Sequence, residues 1–126
     1  MRQITLLPLS GTYAVARLDP LATIPGWADG PGFVSISRTA DELSVVCLAG
    51  RVPDDVRADR AWSCFKFQGP FAFDETGIAA AVLQPLAADG IGIFLVSTFD
   101  TDYLLVQVAD RERVIAALRA AGHRIG

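Results

Sequence analysis

The chain has 126 residues, of which 52% are hydrophobic and 20% charged, so it can fold as one compact domain or as two small lobes. Its net charge of −3 provides no basic surface of the kind that binds nucleic acid. The N-terminus lacks the apolar core of a signal peptide. The sequence contains no uninterrupted run of about 18 apolar residues, so we predict no membrane span.

Cysteine and histidine are scarce, which limits redox and metal chemistry. Cys47 and Cys64 lie in the apolar runs LSVVCLA and WSCFKF, which favours buried thiols of a cytoplasmic protein over a disulfide or redox role. One histidine and two distant cysteines do not make a zinc site, so we predict no metal and no cofactor. His123, which follows the last predicted helix, is interpreted as a surface residue that stabilises the helix end.

In the first half of the chain, short strands are separated by polar and proline-containing segments. The alternation of apolar and polar residues predicts strands at residues 12–18, 33–37, 43–48 and 62–67. Pro20 and Pro25 limit any helix after the first strand to about two turns. The second and third strands read as a hairpin, and Asp54 or Asp55 is predicted to cap a short helix before the fourth.

The second half has longer elements. Thr76 is predicted to cap a helix over residues 78–88, which contains Pro85 and ends at a glycine. A nearly continuous apolar strand at residues 91–96 follows, with an antiparallel neighbour at 103–108. Asp110 is predicted to cap a final helix at 111–121, and residues 123–125 can add a short edge strand.

This order of elements reads strand, helix, strand, strand, helix, strand twice. It predicts an α+β fold of two ferredoxin-like βαββαβ units in tandem, with antiparallel sheets and helices on one face. The predicted units are residues 1–61, with short helices, and residues 62–126, packed together as one compact body. The repeat depends on pattern alone, because sequence identity between the halves is negligible.

Two polar loops follow strands that the apolar pattern makes rigid. They contain Asp-Glu-Thr-Gly at residues 74–77 and Thr-Phe-Asp-Thr-Asp at residues 98–102. Polar loops on a rigid scaffold commonly form small-molecule sites. Because no nucleophile–base pair, phosphate loop or metal motif accompanies these carboxylates, we predict a binding protein and not an enzyme.

The motifs F-D-E-x-G-I, P-L-A-x-x-x-I and S-T-x-x-x-D follow one another from residue 73 to residue 102. From near Trp62 onward the chain resembles the ACT-domain family, and more narrowly small bacterial tandem-ACT proteins and the C-terminal ACT domain of CASTOR-type arginine sensors. The resemblance implies that both units are of the ACT type. It also implies a ligand, typically an amino acid, held at an interface between ACT units.

By this resemblance, the first loop would hold the α-amino and α-carboxylate groups of the ligand; its residues are Asp74, Glu75, Thr76, Gly77 and Ile78. Gly77 would allow close approach of the backbone, and the free N–H groups of the helix start suit a carboxylate. Glu75 would accept from an ammonium or guanidinium group. Gly77 has a structural alternative, which is close packing of helix on strand.

The resemblance also assigns the second loop. Thr98 and Phe99 would line the pocket, and Asp102 would supply a second anionic acceptor. Asp100 and Thr101 fall where the arginine sensors differ in residue type, so the identity of the ligand does not carry over. The two carboxylates favour a ligand with an amino or other cationic group.

Each acidic residue also has an ordinary structural role. Asp74 and Glu75 can stabilise the helix N-terminus through capping and the helix dipole. Asp100 and Asp102 can solubilise a hairpin turn and satisfy its backbone. Phe99 can belong to the core instead of the pocket wall.

The sequence therefore predicts an amino-acid-binding regulatory module that is read by an unidentified partner protein. Because only the second half carries the full motifs, we predict a two-fold homodimer that brings two such halves together. The alternative is an interaction or scaffold protein that retains the fold and binds no ligand.

Overall fold

The computed structural model describes residues 2–126, which form two units. The N-terminal unit is Ser10–Trp62, and the C-terminal unit comprises residues 2–9 together with Ser63–Gly126. The regular elements are β1 (Thr5–Pro8), β2 (Tyr13–Leu18), β3 (Ser35–Arg38), β4 (Leu43–Leu48), β5 (Ala58–Phe67), α1 (Ile78–Ala88), β6 (Phe94–Ser97), β7 (Asp102–Gln107), α2 (Arg111–Ala120) and β8 (Arg124–Ile125). Neither of these helices is long and apolar enough to cross a bilayer.

In the C-terminal unit, the strands lie in the order β6, β7, β5, β1, β8, with the last part of β5 at the centre. β6 and β7 form an antiparallel hairpin in which Phe94 lies opposite Leu105. From β5 onward the chain follows the predicted βαββαβ order, so the α+β ferredoxin-like class is confirmed. Sequence reasoning missed β1, which pairs antiparallel with β5 and parallel with β8.

One hydrophobic core holds both helices to the same face of this sheet. Residues two apart on a strand share a face, and Phe65 and Phe67 of β5 are fully buried on it. The other members of the core come from β1 and the residue before it, β7, α1, α2 and the loop after α1: Ile4, Leu6, Ile78, Val82, Leu86, Ile91, Leu104, Val106, Val114, Ile115 and Leu118. Burial of each large side chain contributes about 1.5–3 kcal/mol to stability, which holds both helices on the sheet.

Both helices end in the same hydrogen-bonded motif, with glycine as the second residue after the helix. After α1, Gly90 N–H donates to Ala87 carbonyl (3.0 Å) and Ile91 N–H donates to Leu86 carbonyl (3.0 Å). This Schellman arrangement satisfies carbonyls that the helix end leaves open. It also keeps Ile91 in an irregular segment, so the strand predicted from residue 91 begins only at Phe94.

The N-terminal unit contains β3, β4, β2 and the first part of β5, side by side and antiparallel. Two short 3₁₀ turns, Gly26–Ala28 and Ala49–Arg51, occur in place of helices. The helix predicted after Asp54 or Asp55 is therefore wrong. The guanidinium of Arg60 donates to three carbonyls of that segment, those of Val52, Pro53 and Val56.

Of the two predicted helix caps, Thr76 is wrong and Asp110 is confirmed in position only. The residue at the start of α1 is Gly77, not Thr76, and no side chain caps this helix within the described chain. Asp110 precedes α2 as predicted, but its carboxylate accepts from Arg113 (3.2 Å) and not from a backbone N–H of the first turn.

His123 is buried, not on the surface as the sequence suggested. Only 4% of the residue is exposed. Its Nδ1 accepts from the Ile4 N–H (3.0 Å), so Nε2 carries the proton and donates to the Ala81 carbonyl (2.7 Å). The imidazole thus joins the segment that leads into β1, helix α1 and the end of α2, and a helix-end role on the surface is excluded.

We predict that His123→Ala destabilises the protein by about 2 kcal/mol or more, because it leaves a buried N–H and a buried carbonyl without partners. Urea unfolding followed by circular dichroism measures the change. Arg119→Ala, at an exposed position of α2, serves as the control and should stay within about 0.5 kcal/mol. Equal stabilities of the two variants would contradict this role of His123.

Candidate functional site

The end of β5 and the loop that follows it are joined to the turn between β6 and β7 by two hydrogen bonds. The Phe71 N–H donates to the Asp100 carbonyl (2.9 Å), and the buried Thr101 hydroxyl donates to the Phe67 carbonyl (2.7 Å). Across the turn itself, the Thr98 N–H donates to the Thr101 carbonyl (2.8 Å). The two loops that the sequence singled out therefore lie together at one end of the sheet.

Between them is a cavity of about 360 Å³, which we call the loop cavity. One wall comes from the first loop and the start of α1: Phe71, Ala72, Phe73, Glu75, Gly77, Ile78, Ala79 and Ala80. The other wall is the turn and its flanks: Ser97, Thr98, Phe99, Asp100, Thr101 and Asp102. The volume is in the range of pockets that hold small molecules.

Eight of the ten residues predicted for the site line this cavity. The two that do not are Asp74 and Thr76, which belong to the first loop. Thr101 lines it, but its hydroxyl is already bonded to Phe67 within the protein. Sequence reasoning missed Phe71, Ala72, Phe73, Ser97 and the two alanines of the first helical turn.

The start of α1 presents backbone donors to the loop cavity. The first backbone bond of the helix runs from the Ala81 N–H to the Gly77 carbonyl (3.0 Å), so the N–H groups of Ile78, Ala79 and Ala80 precede the ladder. Gly77 has φ of 78°, which favours glycine, and a Cβ built there meets no atom within 4 Å. The glycine thus keeps the approach to these donors open, an arrangement that suits a carboxylate.

Three carboxylates line the same cavity, and one of them is already paired. Glu75 Oε2 lies 3.0 Å from Arg2 Nη1, and the Arg2 guanidinium lies 5.5 Å from the centre of the Phe71 ring. Glu75 Oε1 also accepts weakly from the Ala72 N–H (3.4 Å). The Glu75 carboxylate is therefore already paired with a guanidinium of its own chain, that of Arg2.

The other two carboxylates lie on the opposite wall. Asp102 accepts a hydrogen bond from the Ser97 hydroxyl at the turn end of the β6–β7 hairpin. The Asp100 side chain forms no ion pair within residues 2–126. These groups provide negative charge that the protein does not neutralise locally.

Two exposed aromatic rings stand at the rim. Phe73 and Phe99 are 78% and 77% exposed, with ring centres 4.8 Å apart in an edge-to-face arrangement. Phe99 is therefore not a core residue, which excludes one of its two sequence interpretations. Such exposure of two adjacent phenylalanine rings is unusual.

The family model of the ACT domain matches residues 57–120, just over half of the chain. The chain belongs to the ACT domain family. A second family model, which describes an N-terminal domain, matches residues 11–55.

Three similar proteins illustrate what this ACT protein is related to. The cytosolic arginine sensor for mTORC1 subunit 1 of Bos taurus is 33% identical over 110 residues, covering 77% of this chain and 33% of the sensor. The chain thus spans about a third of that relative's length. A crystal structure of an Agrobacterium tumefaciens protein has 59% identity and a TM-score of 0.96, covering 100% of this chain and 94% of that one. The regulatory subunit of aspartate kinase from Thermus thermophilus has 9% identity and a TM-score of 0.60, covering 88% and 93%, which is a likeness of fold.

Two groups on the C-terminal ACT unit have raised pKa values. Burial raises the pKa of the Cys64 thiol from an ordinary value of 9.0 to about 12. Burial is the largest cause of the raised pKa of Tyr103, and electrostatic interaction with Cys64 and Asp100 raises it further. Both groups are neutral at physiological pH, and the Cys64 thiol is in no state to act as a nucleophile.

We predict that the ACT protein loses stability as the pH rises from 9 to 12, because the Cys64 thiol ionises near pH 9 in the unfolded chain and near 12 in the native one. One such group contributes up to about 1.4 kcal/mol per pH unit. Urea unfolding at several pH values should give a shallower decline for Cys64→Ala than for wild type. Identical slopes would contradict the assignment.

Proposed function

We propose that this ACT protein is a regulatory module that binds an amino acid, or a related metabolite with a cationic group, in the loop cavity. The observation that supports this most is the meeting of uncapped helix donors and unneutralised carboxylates in one cavity of about 360 Å³. An α-amino acid carries the two complementary charges on groups attached to the same carbon atom. Its binding would order both loops, and a partner protein would read the altered surface.

The proposed orientation follows from the charges. The ligand carboxylate would accept from the N–H groups of Ile78, Ala79 and Ala80 at the positive end of α1. Its ammonium group would bind Asp102, whose carboxylate retains an oxygen that Ser97 does not use, with Asp100 adding negative charge. A cationic side chain of the ligand would reach Glu75 only by competing with Arg2.

The relatives are consistent with this function. One is named as an arginine sensor and another as the regulatory subunit of a kinase that acts on an amino acid. The shared fold alone does not transfer a ligand. The supporting evidence in this chain is the set of groups in the loop cavity.

We further propose that a second copy of the chain covers the rim. The Phe73–Phe99 pair is apolar, exposed and contributed by both loops, so burying it would also enclose the ligand. Because only the C-terminal half of the chain carries the proposed site, a homodimer would bring two such halves together. Light scattering coupled to gel filtration tests this, and a monomer at all concentrations would exclude it.

One observation favours the alternative function, a scaffold that binds protein and no metabolite. Glu75, which the family resemblance assigns to the ligand, is paired with Arg2 of its own chain. In that case the exposed phenylalanine pair would bind a partner protein directly. The two functions differ in whether an amino acid stabilises the fold.

We predict that at least one of the twenty amino acids stabilises the protein. Ligand at about 100 times its Kd adds roughly 2.7 kcal/mol by mass action, which a thermal-shift assay detects readily. For the amino acid that binds, Asp102→Asn should raise the Kd about tenfold or more, because it removes a charge and retains an acceptor for Ser97.

Asp55→Asn is the matched control, since Asp55 is exposed in the N-terminal unit and loses the same charge. It should leave the Kd unchanged. Absence of stabilisation by every amino acid would favour the scaffold, and equal effects of the two substitutions would refute the proposed orientation.

We predict that Arg2→Gln tightens binding of ligands with a cationic side chain. Because the ion pair is partly exposed, its loss is worth no more than about 1 kcal/mol, so the Kd for arginine or lysine should fall about two- to fivefold. Calorimetry should show no such gain for amino acids with neutral side chains. Weaker binding of arginine to this variant would show that Arg2 assists the ligand and does not compete with it.

A further inference from the structure

A second cavity, of about 290 Å³, lies on the other side of the β6–β7 turn, and we call it the sheet cavity. Strand alternation explains its position. Lys66 lies between Phe65 and Phe67 on β5, so its side chain points away from the core that holds the helices. Leu7, its neighbour on β1, and Tyr103, next to the core residue Leu104 on β7, line the cavity with it.

The sheet cavity contains opposite charges that form no ion pair with each other. Lys66 and Asp100 both line it, yet no ion pair joins them, so their charged atoms are more than 4.0 Å apart. Within residues 2–126, the side chains of Lys66 and Asp100 form no ion pair or hydrogen bond with any residue. A cation and an anion kept apart across one concave space are complementary to a molecule that carries both charges.

Neutral polar groups add to this lining. Gln68 and Tyr103 line the same cavity, and the phenol of Tyr103 remains protonated because its pKa is raised. Leu7 and Pro70 supply apolar surface. A few polar groups on a partly apolar wall are the usual composition of a small-molecule site.

We propose that the sheet cavity is a second small-molecule site, which takes a zwitterion such as an α-amino acid, with its carboxylate on Lys66 and its ammonium group on Asp100. The sheet cavity shares part of its lining with the loop cavity, but the proposal does not depend on the function proposed for the loop cavity. Thr98, Asp100 and Thr101 line both cavities, whereas Lys66 and Tyr103 line only the sheet cavity and Asp102 only the loop cavity. Variants of these unshared residues therefore address one cavity at a time.

The test is a nuclear magnetic resonance titration of ¹⁵N-labelled protein with each of the twenty amino acids. For at least one of them, the amide signals of Leu7, Lys66 and Tyr103 should shift and saturate. Lys66→Met should weaken that binding about tenfold or more, since it keeps the length of the side chain and removes the charge. Lys66→Arg should restore most of the affinity, which a purely structural role of Lys66 would not produce.

Two further variants show whether the binding belongs to the sheet cavity. Arg119→Met removes the same charge from α2, which lines neither cavity, and should not change the binding. In Asp102→Asn the sheet-cavity signals should still saturate with unchanged affinity, whether or not the loop cavity binds. The proposal is overturned if no amino acid shifts these signals, if Lys66→Met binds as wild type does, or if Asp102→Asn abolishes the binding.

Discussion

The hydrogen bond from the Thr101 hydroxyl to the Phe67 carbonyl is the interaction on which both cavities depend. It ties the β6–β7 turn to the end of β5, at the point where β5 passes into the loop that leads to α1. The bond from Phe71 N–H to the Asp100 carbonyl then fixes the next residues of that loop. Because Thr101 is buried, its hydroxyl has no water to bond to, and the turn has one favoured position.

Because the turn is held in one position, its residues can line a cavity on each side of it. On one side the turn meets the uncapped start of α1, and on the other it meets the row of side chains that points away from the helices. The positive end of a helix dipole characterises the first space, and the ammonium of Lys66 characterises the second. In both, acidic residues of the turn supply the opposite charge. An ACT unit of this construction can present two small polar cavities on a single rigid frame.

The paired Glu75 changes how the loop cavity is understood. From the sequence, the carboxylate of Glu75 is expected to bind a cationic group of a ligand. In the folded chain a guanidinium from residue 2 already lies against it and against the Phe71 ring. Charge around the loop cavity is therefore a balance among Arg2, the helix end and three carboxylates, of which Asp100 and Asp102 form no ion pair within residues 2–126.

Sequence by itself determined the elements whose signals are local. The helix Ile78–Ala88, the hairpin of β6 and β7, the glycine-terminated helix ends and the two polar loops all follow from periodicity and turn residues within short windows. Only the tertiary structure decided the burial of His123, the place of β1 beside β5, the loss of the helix after Asp54 and the partner of Glu75. Each of these depends on groups that belong to different segments of the chain: Ala81 for His123, Phe67 for Leu6, Arg60 for the carbonyls near Pro53, and Arg2 for Glu75. No local pattern encodes such pairings, because they form only when the strands and the helices have packed.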